Sequence, residues 1–252
     1  FGFTASTGGK TNLQKVRDVS LSVSDAPPPT DQNPAFVLSG DATYSTALDE
    51  FTLTPNAELQ VGGAMSTYRM DVREDFEILF DVYLGGDNAG ADGVAFVLHN
   101  SALSSRAIGE PGLGLGAAGI DNGVGVEFDT FFNANAAGDI VNDHTNFFDT
   151  DAPATDNRLN AAVDLGDIED GQWHAVRVAW DVSAQELTYW FDGQQRGVLS
   201  SDIGTTYLGG SDFAYFGFTG STGGRTNLQQ VRLDSVDATF EVDSIDGADF
   251  IV

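Results

Sequence analysis

The chain has no cysteine, and its only lysines are Lys10 and Lys15. The absence of cysteine excludes disulfide bonds and thiol chemistry. An extracellular protein of this composition must therefore be stabilised by its core, and we expect bound metal to contribute to that stability.

Positive charge is scarce throughout the sequence. Eleven lysine and arginine residues stand against 38 aspartate and glutamate residues, which gives a formal net charge of −27. So acidic a chain repels nucleic acid and anionic membranes, and we exclude both as partners. Cations, neutral polar ligands and basic partners remain. The predominance of aspartate suits either salty surroundings or calcium-rich extracellular water, so we expect an extracellular or cell-surface location.

Long apolar runs are also missing. No stretch approaches the 18 apolar residues of a membrane-spanning helix, and the N-terminus has no charged segment followed by an apolar one. We therefore predict no membrane insertion. The start at Phe1, without methionine, favours a processed or excised piece of a longer protein.

An internal repeat connects the two ends of the chain. FGFTASTGGKTNLQKVR at 1–17 matches FGFTGSTGGRTNLQQVR at 216–232 in 14 of 17 positions, and AFV at 35–37 weakly resembles DFIV at 249–252. These repeated segments predict that the sequence covers part of a tandem array of domains. The predicted parts are a terminal strand segment of a preceding repeat at 1–25 that echoes 216–240, a proline-rich linker at 26–33, a complete domain at 34–240, and a linker with the start of a following repeat at 241–252.

Short segments rich in valine, phenylalanine, tyrosine and threonine recur between clusters of glycine, aspartate and asparagine. Examples are DFEILFDVYLGG, GVAFVLHN, WHAVRVAWDV and ELTYWFDG. This pattern is typical of an antiparallel β sandwich, with helix as a minor component. We interpret Trp173, Trp180 and Trp190 as core or inter-sheet aromatics, and His99 and His174 as packing or surface residues.

The stretch GVGVEFDTFFNANAAGDIVNDH at 123–144 has the ligand types of a metal site. On a strand, Val124, Val126 and Phe128 point into a core, whereas Glu127 and Asp129 lie together on the other face. Asn133, Asp139 and His144 then follow on a predicted irregular loop. Oxygen ligands suit calcium, and an imidazole nitrogen suits a transition ion. Acidic, asparagine-rich loops also occur on soluble proteins without ions, so the spacing alone leaves both interpretations open.

Taken in order, these motifs resemble those of the L-type (legume-like) lectins, over about residues 34 to 240. FVLSGDA, DFEILFDVYLGG with ADGVAFVLHN, GLGLGAAGIDNGVGVEFDT, and YFGFTGSTGGRTNLQQVRLDSVDATF are similar to that family's successive strands and loops. The resemblance implies an all-β, concanavalin A-like jelly-roll sandwich of two antiparallel sheets. Together with the repeat, the resemblance predicts a lectin domain of bacterial or archaeal type from a tandem-repeat extracellular adhesin.

The resemblance also implies the metal ligands. Glu127 and His144 resemble ligands of a transition-metal site, Asp129 and Asp139 the carboxylates that bridge both ions, Asn133 a calcium ligand, and Phe131 a main-chain carbonyl ligand. The implied cofactors are Ca²⁺ and a second divalent ion, Mn²⁺ or similar. The loop between Asn133 and Asp139 is one residue longer than in the family pattern and lacks its usual proline, so Asp143 is an alternative to Asp139.

A neutral saccharide needs a carboxylate acceptor, an amide, a main-chain N–H and an apolar face. The resemblance assigns Asp92 and Asn133 to the first two roles, Gly112 or Gly114 to the third, and Phe131 or Phe132 to the fourth. It implies a cis peptide between Ala91 and Asp92, loss of sugar binding when calcium is removed, and a pocket rim at 220–224 that includes Thr222.

Three functions compete at this level. The first is a calcium-dependent, non-enzymatic glycan-binding module of a secreted or cell-surface adhesin. The second, glycoside hydrolysis, is disfavoured because no second glutamate follows Glu127 and Asp129 at the E-x-D-x-x-E spacing of the related glucanases. The third is a structural subunit of an extracellular filament or stalk, in which neighbouring copies join head-to-tail through terminal strands.

Overall fold

The computed structural model describes residues 35 to 241. The segments predicted for 1–25 and 26–33 lie outside this range, as do all but the first residue of the segment predicted for 241–252. Fifteen strands are present in the described part of the chain. They are β1 (Phe36–Gly40), β2 (Thr43–Ser45), β3 (Glu50–Thr54), β4 (Val61–Ser66), β5 (Met70–Asp71), β6 (Phe76–Tyr83), β7 (Gly93–His99), β8 (Gly123–Asp129), β9 (Asp143–Asp149), β10 (Val163–Gly166), β11 (Trp173–Asp181), β12 (Glu186–Phe191), β13 (Gln194–Ser200), β14 (Phe213–Ser221) and β15 (Gln229–Asp237).

The strands form two antiparallel sheets, which confirms the predicted all-β sandwich. The first sheet has the order β1-β4-β14-β7-β8-β9-β10, with β5 also paired to β14. The second has the order β13-β12-β11-β6-β15-β3-β2. Neighbours in the sheets are often distant in sequence, so the fold depends on long-range pairing.

Helix is a minor component, as predicted. Two short 3₁₀ turns lie at Ser104–Arg106 and Gly112–Gly114, and a four-residue α-helix, α1, spans Ile203–Thr206. Asp202 caps α1, because its side chain accepts a hydrogen bond from the amide of Thr205. Between residues 35 and 241, no helix has the length and apolar composition needed to cross a bilayer.

The main core lies between the two sheets and follows from the alternation of apolar side chains. In β6, every second residue from Phe76 is buried, and in β8 the valines and Phe128 belong to the same core. Phe80 packs on Phe96 and Phe218, with ring centroids 5.7 and 4.8 Å apart. Burying one such side chain contributes about 1.5–3 kcal/mol.

A smaller apolar cluster lies on the other face of the first sheet. Ala95 and Val97 alternate with the core residues of β7, so they point away from the main core. The chain between β7 and β8 contributes Ala107, Leu115 and Ile120 to this cluster. This covering segment therefore packs on one part of the sheet face, and the acidic residues of β8 project from the same face.

The tryptophans occupy different environments, and the prediction that all three are core or inter-sheet residues is wrong for two of them. Trp180 is buried and donates its indole N–H to the carbonyl of Val72. Trp173 and Trp190 are half-buried on the opposite face of the second sheet. There the guanidinium groups of Arg232 and Arg177 lie 4.0 and 4.1 Å from the ring centroids of Trp173 and Trp190, respectively.

The two histidines predicted to have packing or surface roles are both buried packing residues. His99 stacks near Tyr215, and His174 stacks near Phe191. Burial lowers the pKa of His99 to about 4, so its imidazole is neutral at physiological pH.

Candidate functional site

The candidate metal site begins at the end of β8, where two carboxylates are buried on the same face of the strand. Glu127 and Asp129 alternate with Val126 and Phe128, as predicted, but their side chains are only 5% and 3% exposed. Asp129 lies directly opposite His144 in the pairing of β8 with β9. Strand alternation and register thus bring the three side chains together.

His144 is therefore on a strand, and its predicted position on an irregular loop is wrong. Its Nε2 atom lies 3.8 Å from Glu127 Oε1, 3.7 Å from Asp129 Oδ2 and 3.5 Å from Asp139 Oδ1. Ligand atoms of Glu127, Asp129 and His144 all lie within 4.8 Å of one another. The arrangement offers both oxygen and nitrogen donors to a cation.

The side chain of Asp139, and not that of Asp143, lies beside the imidazole ring of His144. The side chain of Asp139 is fully buried at the cluster, and its Oδ2 accepts a hydrogen bond of 2.8 Å from the amide of Asn133. Asp143 instead accepts a hydrogen bond from the amide of Ile168. Asp143 precedes His144 on β9, so its side chain points to the other face of the sheet.

The loop after β8 folds back over the strand end. The amide of Phe131 donates to Asp129 Oδ1 at 2.9 Å, and the bond between Asn133 and Asp139 closes the next turn. Phe131 and Asn133 are half-buried, whereas Phe132 is 42% exposed. The predicted ligands Phe131 and Asn133 are thereby held next to the carboxylates, because their main-chain amides donate to the side chains of Asp129 and Asp139.

Arg158 is a member of the cluster that the sequence analysis missed. Its Nε atom lies 3.0 Å from Glu127 Oε1, and one terminal nitrogen lies 3.3 Å from Asp129 Oδ2 and 3.2 Å from His144 Nε2. Its side chain is 6% exposed. Arg158 follows Asp129 by 29 residues, and its backbone pairs with Phe148 of β9 in an isolated bridge. The spacing of residues within 123–144 therefore could not predict that Arg158 joins the cluster.

Burial governs the electrostatics of this cluster. It raises the pKa of Glu127 and Asp129, and the neighbouring charge of Glu127 raises the pKa of Asp129 further. Burial also lowers the pKa of His144, which leaves the ring neutral and able to donate a lone pair. A bound cation offsets the repulsion among the carboxylates, so these residues fit a metal site.

The candidate carbohydrate site lies at the start of β7. The peptide between Ala91 and Asp92 is cis, as predicted. Asp92 is 5% exposed, and its Oδ2 atom has no hydrogen-bond partner among the described residues. A Cβ atom built on Gly223 would lie 3.3 Å from this oxygen, and one on Gly112 would lie 4.0 Å away. The carboxylate is thus placed between two glycine loops.

Of the two glycines predicted to provide a main-chain donor, Gly112 is the one beside Asp92. Gly114 is buried, and a Cβ atom on it would meet Glu110 at 2.8 Å. The hydroxyl of Ser221 donates to the carbonyl of Gly112 at 2.9 Å. This bond ties the glycine segment to the end of β14.

Thr222, in the segment 220–224 predicted to rim the pocket, directs its side chain into the protein. It is fully buried, and its hydroxyl donates to the carbonyl of Ala57 and accepts from the amide of Gln60. The hydroxyl is therefore used within the protein, where it holds the loop in place. Gln229, which the sequence analysis missed, supports the same region because its side chain donates to the carbonyls of Ala91 and Ser221.

Comparison with known proteins identifies the family. Residues 29–235 match the family described as Legume lectin beta-barrel domain. The chain belongs to this legume lectin family. Proteins of this family are non-enzymatic and bind carbohydrate. The resemblance to L-type lectins is confirmed.

Two relatives are much longer proteins. The legume lectin domain is 30% identical over 198 residues to pesticidal crystal protein Cry22Aa of Bacillus thuringiensis, covering 70% of this chain and 26% of that protein. It is 29% identical over 230 residues to a serine-rich adhesin for platelets of Staphylococcus aureus strain MRSA252, covering 81% of this chain and 16% of the adhesin. The chain therefore spans about a quarter or less of each relative.

Solved plant lectins have the same fold. Lectin II from Ulex europaeus superposes with a TM-score of 0.69 at 20% identity, over 83% of this chain and 94% of that chain. The Bauhinia forficata lectin in complex with GalNAc gives 0.68 at 19% identity, with the same coverage of both chains. The predicted jelly-roll sandwich is confirmed.

Proposed function

We propose that this legume lectin domain binds a glycan in a calcium-dependent manner, beside Asp92 and the loop that carries Asn133. The observation that carries the proposal is the buried Oδ2 atom of Asp92, which lies between two glycine loops without a hydrogen-bond partner among residues 35–241. A buried acceptor is costly unless a donor reaches it, and a sugar hydroxyl is a suitable donor.

The surrounding groups match the chemistry of a saccharide. Sugar hydroxyls both donate and accept, so they pair with the Asp92 carboxylate, the side-chain amide of Asn133 and the main-chain N–H of Gly112. Phe131 is half-buried and Phe132 is 42% exposed on the same loop, which supports the assignment of one of them as the apolar face for the ring.

Calcium is the cofactor that this donor set favours at the loop. Asp129 and Asp139, the amide oxygen of Asn133 and the carbonyl of Phe131 would hold the ion, because calcium prefers oxygen ligands. Asp139 Oδ1 is buried and has no hydrogen-bond partner among the described residues, which supports this assignment. When bound, the ion supplies a fixed charge that holds the loop. The predicted second ion, Mn²⁺ or similar, depends on Glu127 and His144.

We infer that the domain is a module of a larger secreted or cell-surface protein. Two observations support this inference. The domain matches only 26% and 16% of the length of the two relatives, and one of these relatives is an adhesin. The alternative of a head-to-tail filament depends on the repeat at 1–17 and the predicted terminal strand at 1–25, which lie outside the described residues and stay a prediction.

A hollow of about 430 Å³ on the outer face of the second sheet is a different surface, lined in part by Glu77, Arg177 and Trp190. Arg177 already lies over the Trp190 ring and pairs with Glu77 at 2.5 Å. A glycan bound in this hollow would be insensitive to substitution of Asp92 and to removal of calcium, which separates the two locations experimentally.

The test is a glycan array probed with the full chain in millimolar calcium and again after chelation. GalNAc and galactose are the first probes, because the Bauhinia forficata lectin is in complex with GalNAc and a further structural neighbour, lectin UEA-II, is complexed with galactose. We expect binding that disappears on chelation and returns with calcium. Binding that survives chelation contradicts the metal dependence, and an array without signal in either condition contradicts the carbohydrate function.

A further inference from the structure

Arg158 lies where a second metal ion would have to bind. Its guanidinium is within 4.0 Å of three carboxylates, at 3.0 Å from Glu127, 3.3 Å from Asp129 and 3.9 Å from Asp139. The same terminal nitrogen that faces the aspartates lies 3.2 Å from Nε2 of His144. The three carboxylates and the imidazole are the four side chains that the sequence analysis assigned to the second ion or to both ions.

Two kinds of partner compete for the lone pair of His144 Nε2. A neutral imidazole nitrogen either coordinates a metal or accepts a hydrogen bond, but its single lone pair cannot do both. Here a guanidinium N–H occupies that direction. A transition ion about 2.1 Å from the imidazole nitrogen would also lie against the arginine nitrogens, so ion and guanidinium exclude each other in this conformation.

The charges favour a single ion. Glu127, Asp129 and Asp139 contribute three negative charges when ionised, and a guanidinium keeps its positive charge in proteins. One divalent ion together with Arg158 balances this set. Two divalent ions and Arg158 leave an excess of two positive charges in a buried site, which is costly.

The fold holds Arg158 in this position. Its backbone pairs with Phe148, and the amide of Leu159 donates to the carbonyl of Phe147 at 2.8 Å. Its side chain donates to Asn146 Oδ1 at 3.2 Å and to the carbonyl of Ala137 at 3.3 Å. These bonds link β9 to the loop that carries Asp139, so the arginine is part of a connected polar network.

We propose that Arg158 replaces the second metal ion in this domain, so that one divalent ion and one guanidinium complete the site. This inference rests on the proposed calcium site. Glu127 and His144 then hold the guanidinium of Arg158, whereas Asp129 and Asp139 would serve both as partners of Arg158 and as ligands of the calcium ion. The domain thus differs from the two-ion arrangement that the sequence analysis expected.

The ion count of the wild-type chain is the primary test. The full chain is stripped with a chelator, dialysed against CaCl₂ and MnCl₂ together, and measured by plasma mass spectrometry and by calorimetric titration. We expect one bound divalent ion per chain. Two ions overturn this proposal and leave the calcium-dependent function standing, whereas no bound ion overturns both.

Substitution of the arginine is the second test. Arg158→Gln removes the charge, so we expect the ion count to rise from one to two, with the additional Mn²⁺ showing nitrogen coupling from His144 in electron paramagnetic resonance. Arg177→Gln, on the outer face of the other sheet, is the control and keeps one ion. A count that stays at one in folded Arg158→Gln overturns the proposal.

His144→Gln provides a variant that does not depend on the folding of Arg158→Gln. If His144 Nε2 faces the guanidinium of Arg158 in place of a metal ion, this substitution leaves the count at one, because no metal–nitrogen bond is lost. A fall of the ion count on His144→Gln, measured in the same calorimetric titration, overturns the proposal.

Discussion

The carbonyl oxygen of Asp92 accepts a hydrogen bond of 3.0 Å from the amide of Thr130. Thr130 is the residue after Asp129, so one main-chain bond joins the candidate sugar site to the end of the metal strand. If the proposed ion were lost and Asp129 shifted, the shift would reach Asp92 through a single residue. The proposed dependence of sugar binding on calcium has a direct physical route.

The first prediction concerns the ion. Asp129→Asn removes the charge of a proposed calcium ligand, so we expect the variant to lose calcium binding and, with it, sugar binding. A ligand at 100 times its dissociation constant stabilises a protein by about 2.7 kcal/mol. Thermal unfolding with and without calcium should show this gain in the wild type and not in Asp129→Asn.

Asp143→Asn is the matched control for this prediction. Asp143 accepts a hydrogen bond from the amide of Ile168 on the other face of β9, and an asparagine oxygen can accept the same bond. We expect it to keep the calcium-induced stabilisation. Equal loss in both variants would show that the ion binds elsewhere.

The second prediction concerns the sugar. Asp92→Asn preserves size but removes the charged acceptor, and hydrogen bonds to charged groups contribute about 1.5–3 kcal/mol. We therefore expect a weakening of roughly 10- to 100-fold in Kd, measured by calorimetry in saturating calcium. Asp181→Asn, at a turn of the second sheet, should leave Kd unchanged. Undiminished binding by Asp92→Asn would show that the sugar does not bind beside Asp92 at the start of β7.

The third prediction is a pH dependence of the same interaction. Burial raises the pKa of Asp92 to about 6, and a protonated carboxyl no longer offers a charged acceptor. At pH 5 roughly a tenth of the chains carry the carboxylate, so Kd should increase about tenfold between pH 7 and pH 5. Calorimetry at saturating calcium measures this, with the ion content checked at each pH. An equal Kd at the two pH values contradicts it.

The sequence predicted the fold and the two faces of β8 well because strand alternation is a local property. The two-residue period of a strand is enough to predict that Val126 and Phe128 lie on one face of β8 and that Glu127 and Asp129 lie on the other. The structure has this arrangement. Strand alternation also shows why the tryptophans cannot all be core residues. Trp173 and Trp180 are seven positions apart on one strand, so their side chains lie on opposite faces.

The remainder of the site depends on pairing between distant strands. The prediction of a loop at His144 is wrong because DHTNFFD forms a strand that is buried on both faces, and such a strand has no clean alternation of polar and apolar residues. Arg158 enters the cluster only through the bridge of its backbone to Phe148. The register between paired strands is a long-range property, so it cannot be predicted from the spacing of residues within the segment 123–144.

Glu169 is a buried carboxyl outside the metal cluster whose protonation should affect stability. It is 2% exposed and accepts a hydrogen bond from the side chain of Asn227, which also donates to the carbonyl of Asp87. Burial raises the pKa of Glu169 to about 8, and the negative charge of Asp143 adds to this effect. The folded domain thus keeps a proton that the unfolded chain releases at its ordinary pKa, near 4.5.

The fourth prediction follows from this difference. Between about pH 4.5 and pH 8 the folded state binds more protons than the unfolded state, so this carboxyl lowers the free energy of unfolding by about 1.4 kcal/mol per pH unit as the pH rises. Glu169→Gln mimics the protonated form, so urea unfolding at pH 5, 6.5 and 8 should show a smaller decline than in the wild type. Glu186→Gln, on the second sheet, should follow the wild type. Parallel curves for wild type and Glu169→Gln would mean that Glu169 ionises in the folded domain as easily as in the unfolded chain.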